Sequence, residues 1–304
     1  MLRAMSAPPS SFPAPPMPAA FAPDHSTTWT GYLRYEDVTQ DGRLIPIAAP
    51  ASLAGLWRDV LVKNTGHRNA LAQGIIPILT RLVLVSTDRS IRVDHPFSST
   101  LGYELAHQLE DGQVTRLFMN IWTEIRGTAG RLGRNPTAGE PTLAGTVFAE
   151  HTYTRLLAPP DQRKVTKFAV EGYPDVPASH YAAAPPTTAQ EVPEGATWLD
   201  ELAPDPAEYV FTLDQTDSNQ HVNSLVYIRI FHDAINRRLA ERGKSLKMRS
   251  RAVDIAYRKP SFAGDRVRIQ LRLFEHGDGL GAAGRVEGAE DGKTRCYVRV
   301  LLGT

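Results

Sequence analysis

Cysteine is almost absent from this sequence: Cys296 is the only one in 304 residues. A lone thiol excludes an internal disulfide framework and a cysteine-built metal site. It is compatible with a reducing compartment, so a cytoplasmic location is expected. No apolar run approaches the roughly 18 residues that a membrane-spanning helix needs, so none is expected. Neither sign of charge is in excess: 34 Lys and Arg face 33 Asp and Glu, a formal net charge of +1. Nothing global therefore argues for nucleic acid as a partner. The histidines are scattered and form no His-Glu-x-x-His pair, so no metal is expected. The Gly-rich stretch 126–141 is not closed by Gly-Lys-Ser/Thr, which excludes a phosphate cradle of that kind, and no cofactor is implied. What is present is ordinary for a soluble globular protein, 42% hydrophobic and 22% charged residues. The length suits two domains.

Residues 1–27 are dense in Pro, Ala and Ser. Proline at that density forbids the apolar helix of a signal peptide and reads as a disordered or polyproline-like leader. The next stretch, 31–47, reads as a strand, a turn at Gln40-Asp41-Gly42, and a second extended piece. A helix comes next over about 51–63, with Leu53, Leu56, Trp57, Val60 and Leu61 on its apolar face. Strand-like runs then cover 79–87, 90–94, 101–110, 114–126 and 143–157. The same order returns in the second half: a strand at 208–214, a helix at 224–240, and strands at 248–258, 265–275, 279–287 and 294–302. This is a repeat of domain length. It divides the chain into the leader 1–27, a first domain 28–170, a Pro- and Ala-rich linker 171–206, and a second domain 207–304. A helix and then consecutive antiparallel strands, twice, predict an α+β fold.

One stretch carries chemistry: Asp217-Ser-Asn219-Gln-His221-Val-Asn223-Ser224-Leu-Val-Tyr227. Alternation by two puts Asp217, Asn219 and His221 on one side if the segment is extended. A helix starts at once, with Tyr227, Ile228, Phe231, Ala234, Ile235 and Leu239 as its apolar stripe and Gly243 as its stop. The trio thus sits at a helix N-terminus, where unpaired N–H groups and the dipole stabilise a developing oxyanion. Asp217 suits a general base or a nucleophile. Asn219 offers both donor and acceptor, and His221 can give or take a proton near neutrality. An Asp/Asn/Ser turn that merely caps the helix is the plainer alternative.

Asp-x-Asn-x-His-Val-Asn and then Tyr resembles the signature of hot-dog-fold thioesterases, most closely the acyl-ACP thioesterases of plants and bacteria. The resemblance covers about residues 30–304 and is sharpest at 217–227. It implies two tandem hot-dog domains, each an antiparallel sheet wrapped around a central helix. It further implies hydrolysis of fatty-acyl thioesters, acyl-ACP first, with Asp217, Asn219 and His221 catalytic. Asn223, Ser224 and Tyr227 would line the substrate. The first domain would house the acyl chain. There Tyr35-Glu-Asp37…Asp41-Gly-Arg43 falls where the motif would be, without its Asn and His. The sequence departs from plant members after the next strand. Their run there contributes a further acid or thiol, whereas Tyr257-Arg-Lys-Pro260-Ser261 stands here. Asp217 would then serve as the base, or Asp254 or another carboxylate would substitute. Ser261 lacks a Gly-x-Ser-x-Gly elbow and is no nucleophile.

Between positions 237 and 259 lie nine Lys and Arg against only Glu241 and Asp254. Arg242, Lys244 and Lys247 are the candidates for receiving a carrier protein or the phosphates of coenzyme A, against an ordinary solvated face. A monomer or homodimer fits, since two domains in one chain can complete each other. Two other functions stay open. A hot-dog hydratase or dehydratase would need one more residue before the His, which reverses a strand side chain. A non-catalytic acyl-thioester binder would use the same pocket without turnover.

Overall fold

In the computed structural model of the chain, residue 12 and residues 14–132, 139–277 and 279–303 are described. The strands are β1 (Ser26–Gly31), β2 (Ile75–Ser86), β3 (Phe97–Glu110), β4 (Gln113–Thr128) and β5 (Pro141–Arg155), then the short β6 (Ser179–His180), β7 (Thr197–Trp198), β8 (Ala203–Pro204) and β9 (Tyr209–Val210), and finally β10 (Arg249–Tyr257), β11 (Arg266–His276), β12 (Gly279–Gly288) and β13 (Thr294–Gly303). They form one sheet in the order β1-β3-β4-β5-β2-β10-β13-β12-β11-β7, with β6 on β3 and β8 and β9 on β11. Two antiparallel half-sheets therefore meet at one seam, β2 against β10, in the register Asp254 to Val83. This is the double hot-dog arrangement.

Alternation builds the two faces. In β11, Val267, Ile269, Leu271 and Leu273 are buried toward the helices, while Arg266 and Arg268 point out. The long helix α3 (Ser224–Glu241) lies on the inner face and buries every residue of the expected stripe. Val226, Ile230 and Arg238 are buried as well, because the segment leading into the motif wraps the other flank. Arg237 pairs with Asp205 and Arg238 with Asp200. Gly243, in the left-handed region at φ 62°, ends the helix as expected.

The first half departs from the sequence reading. The expected helix at 51–63 is three stacked pieces: a 3₁₀ segment Pro46–Leu53, one α turn α1 (Ala54–Leu56) and a π segment Trp57–Leu61. Pro46 and Pro50 lack the N–H groups that a regular α-helix would use. A second helix, α2 (Thr65–Ala72), capped by Asn64, was not expected. The strand anticipated from 31 ends at Gly31. In its place stand a 3₁₀ turn, Tyr35–Asp37, held by Arg34 on the Asp37 carboxylate, and an isolated bridge between Val38 and Leu44.

The leader and the linker are corrected too. Phe12, Met17 and Phe21 pack on the outer face of the sheet with Trp122 and Phe148. The Trp122 indole N–H donates to the Pro15 carbonyl at 2.9 Å. Gly102 makes room for the Phe21 ring, since a Cβ there would sit 2.3 Å from it. Residues 1–11 and 13 lie outside the described residues. The 171–206 segment is a strap rather than a free linker. It crosses the outer face from β3, which β6 joins, to β11, which β7 and β8 join. On the way Tyr181, Val192 and Trp198 cover apolar side chains of the sheet, and the Arg272 guanidinium stacks on Trp198 at 3.4 Å. Among the described residues no helix is long and apolar enough to cross a membrane.

Candidate active site

The motif forms a tight turn, not the extended run that alternation suggested. Thr216 and Val222 bridge antiparallel, and the Asp217 N–H donates to the His221 carbonyl at 2.8 Å. Asp217 and His221 therefore face each other across the base of the turn, with Asn219 near its tip. Gln220 takes a left-handed conformation at φ 65°, and its N–H returns to the Asp217 carbonyl at 2.9 Å. One Asp217 carboxylate oxygen, Oδ1, accepts the Asn219 backbone N–H at 2.8 Å, an Asx turn that fixes the carboxyl group. Turn chemistry thus fixes the three positions on one short loop, and Asn219 stays exposed while Asp217 and His221 are half-buried; none of the three lines the cleft beside it. The His221 ring meets Phe262 edge-on, with centroids 5.3 Å apart.

The turn is clamped to the core from below. The Val222 N–H donates to the Ser261 carbonyl at 2.8 Å, and the Ser261 N–H donates to the Tyr227 hydroxyl at 3.0 Å. The Tyr257 hydroxyl donates to the Ser224 carbonyl at 3.0 Å. Tyr227 is buried among Phe211 and Tyr257, and that burial pushes its hydroxyl up to about 12. These hydroxyls hold the framework. Asn223 is the N-cap: its side-chain oxygen accepts the Leu225 N–H at 2.9 Å. The Ser224 N–H, at the positive end of α3, has no partner among the described residues.

A cleft of about 500 Å³ opens beside the turn. Thr216 and Asn223, which flank the trio, line it together with Tyr209, Val226, Arg229 and Asp233. The polar lining residue Arg229 escaped the sequence reading, since it lies outside the apolar stripe of the helix. Phe262 escaped as well, since no periodicity links it to the motif. A smaller depression of about 220 Å³ lies against the strap, lined by Arg81, Glu150, Ala184 and Arg258.

Other candidates are not brought to the motif. Asp254 is fully buried on the outer face in ion pairs with Arg81 and Arg299, so it cannot replace the missing acid. After Tyr257, Lys259 pairs with Asp291 and Ser261 is fully buried. Arg242, Lys244 and Lys247 lie at the C-terminal end of α3. That is about 27 Å from the motif for 18 residues at about 1.5 Å each. Arg242 pairs with Asp200 there and Lys244 approaches Glu275 at 4.0 Å. Among the described residues no group of three or more His, Cys, Asp or Glu is placed to hold a metal.

No family model matches the chain, and no curated protein matches it in sequence. Solved structures do match its fold along nearly the whole length. An acyl-ACP thioesterase from Bacteroides thetaiotaomicron is similar with a TM-score of 0.57 at 16% identity, over 91% of this chain and 98% of its own. A candidate oleoyl thioesterase from Lactobacillus plantarum gives 0.62 at 14%, over 92% and 96%. The 12:0-ACP thioesterase from Umbellularia californica gives 0.56 at 12%, over 91% and 94%. The resemblance first carried by residues 217–227 thus extends to the two-domain fold.

Proposed function

We propose that the chain hydrolyses fatty-acyl thioesters to the free acid and the carrier thiol, with acyl-ACP ahead of acyl-CoA. One observation carries the reading. The 216–222 turn carries a carboxylate, an amide and an imidazole next to the N-terminus of the central helix, and its flanking residues Thr216 and Asn223 line a cleft. The whole-chain likeness to acyl-ACP thioesterases supports it. In this reading the thioester carbonyl oxygen lies against the Ser224 N–H, where helix dipole and N–H meet the growing negative charge. Asp217, held by one oxygen, uses the other to take a proton from the attacking water. Asn219 orients that water, and His221 delivers a proton to the departing thiolate.

The carrier's phosphate meets Arg229, about 7.5 Å along α3 from Ser224 at 1.5 Å per residue. Arg242, Lys244 and Lys247, at the far end of α3, serve a carrier protein's outer surface in the same reading. The test is a panel of acyl-ACPs and acyl-CoAs of graded chain length, with the release of free thiol monitored. Turnover that prefers one chain length supports the reading. Saturable binding without thiol release favours a binder instead, an outcome made pertinent by the missing acid after Tyr257.

A further inference from the structure

The loop before the first helical segment repeats the backbone hydrogen bonds of the motif loop. Val38 bridges Leu44 as Thr216 bridges Val222. The Thr39 N–H donates to the Arg43 carbonyl at 2.8 Å, as Asp217 does to His221. The Gly42 N–H donates to the Thr39 carbonyl at 2.8 Å, as Gln220 does to Asp217 at 2.9 Å. Gly42 and Gln220 share the left-handed conformation, at φ 81° and 65°. The preceding turns match as well: the Arg34 N–H binds the Asp37 side chain and the Thr212 N–H the Gln215 side chain, both at 2.9 Å. Thr39, Asp41 and Arg43 therefore occupy the places of Asp217, Asn219 and His221. The imidazole has become a guanidinium.

Because β2 and β10 run antiparallel, this second loop lies at the other end of the seam, where β2 ends and β10 begins. Arg249 and Arg251 on β10 both bind Asp88, Arg251 at 2.8 Å. Arg43 pairs with Asp41 at 3.0 Å, and Arg131 lies beside Gly42. Arg249 and Arg251 thus share one carboxylate, Asp88, and the charges of Arg43 and Arg131 both act on Asp41. The Arg249 side chain is 8% exposed, and its Nε and that of Arg251 are buried without a hydrogen-bond partner. Burial, with Arg43 and Arg251 nearby, pulls the Arg249 guanidinium below its ordinary range despite Asp88. A buried cation among cations is costly until an anion completes it.

We propose that this loop is a phosphate-binding site, in which a phosphate group bridges the Arg43 and Arg251 guanidiniums beside Asp88. A tetrahedral dianion matches several guanidinium forks better than one carboxylate does. The site stands apart from the motif turn and does not require that turn to be catalytic.

The experiment titrates inorganic pyrophosphate, and separately coenzyme A, into the full chain at low ionic strength, with heat of binding and melting temperature as readouts. Saturable one-site binding of pyrophosphate is expected, with a raised melting temperature. Arg43→Gln and Arg251→Gln should each weaken it about tenfold, the scale of one charge-assisted hydrogen bond. Asp88→Asn should tighten it by removing the competing carboxylate, an effect that a purely structural ion pair would not give. Asp217→Asn should leave it unchanged. Coenzyme A binding with the same arginine dependence assigns a nucleotide-type handle, and pyrophosphate alone assigns a small inorganic ligand. Absence of saturable binding, binding indifferent to both arginine variants, or weaker binding in Asp88→Asn overturns the proposal. Arg43 lies in a surface loop, so its variant remains informative if Arg251→Gln fails to fold.

Discussion

Arg81 and Asp254 meet across the β2–β10 seam with both carboxylate oxygens engaged, at 2.8 Å from Nε and 2.6 Å from a terminal nitrogen. Their side chains are 2% and 0% exposed. Arg299 adds a third bond to the same carboxylate at 3.2 Å, and the strap closes the cluster through Thr188 on Arg81 at 3.0 Å. One carboxylate therefore ties together the first half-sheet, the second half-sheet and, through Arg81, the strap.

Asp254→Ala leaves two buried guanidiniums without their shared acceptor. The expected loss of stability is about 3–5 kcal/mol, measured by urea unfolding. A loss under about 1 kcal/mol would show that the cluster is hydrated rather than dry. Because Asp254 points to the outer face, folded Asp254→Asn should keep its turnover.

Deletion of residues 1–23 should destabilise the chain although the sequence there reads as a tail. Phe12, Met17 and Phe21 cover Trp122 and Phe148. Each fully buried apolar side chain contributes about 1.5–3 kcal/mol. The check is the melting temperature together with binding of a hydrophobic dye. An unchanged melting temperature and no new dye binding would show the segment to be dispensable.

These two regions mark where the sequence was hard to read. α3 was legible to its last turn because a 3.6-residue stripe and a stop glycine were both in view. The last four strands were legible because each is flanked by turn residues, whereas the strand read at 208–214 is only Tyr209–Val210 before a 3₁₀ turn at Leu213–Gln215. Arg81 and Asp254 lie 173 residues apart, and no local pattern joins them. The leader misled because its prolines suggested disorder while its few aromatics decided the packing. At the candidate site the residue types were readable, but not the turn that gathers them. The second copy of that turn was visible only as an Asp and Gly in roughly the right place, since its shared hydrogen bonds are backbone bonds.

Stability should fall with acid through two buried histidines. Burial against Trp57 holds the His151 imidazole down to about 4, and His232 on α3 is held to about 4 in the same way. An unfolded histidine titrates near 6.5. Between those values the unfolded chain binds the proton and the folded chain does not, so stability declines as pH drops from about 6.5 to 4. Below 4 these histidines are protonated in both forms and their share of the decline ends. For His151 the change is roughly 3 kcal/mol. His151→Gln should flatten that part of the stability–pH curve, and a curve of unchanged slope counts against the assignment.

Charge reversal separates two routes for the carrier. Arg229→Glu, at the cleft, should raise KM for acyl-ACP, with a salt-dependent effect and little change in kcat. Reversal of Arg242, Lys244 and Lys247 together should raise KM less, since Arg242 is committed to Asp200 at the far end of the helix. If the triple variant shows the larger effect, the carrier docks along the helix and not at the cleft.

The motif turn yields the last prediction. Asp217→Asn keeps the shape and the Asx bond to Asn219 but removes the charge that would draw a proton from water. His221→Ala removes the imidazole while leaving the turn's backbone bond, which runs from the Asp217 N–H to the residue-221 carbonyl. Each change should lower kcat about 10²–10⁴-fold and disturb acyl-thioester binding far less. The double variant should lose much less than the product of the two, because groups that serve one proton path fail together. Melting temperatures near the wild type would separate this from damage to the helix cap, for which Asn223→Ala is the control, with an expected cost of about 1 kcal/mol. If both single variants turn over at nearly the wild-type rate, the turn is a cap and the chemistry lies elsewhere. If the wild type binds thioesters without releasing thiol, Pro260→Glu asks whether an acid after Tyr257 restores turnover. Continued inactivity would remove the missing acid as the explanation and leave a binding protein.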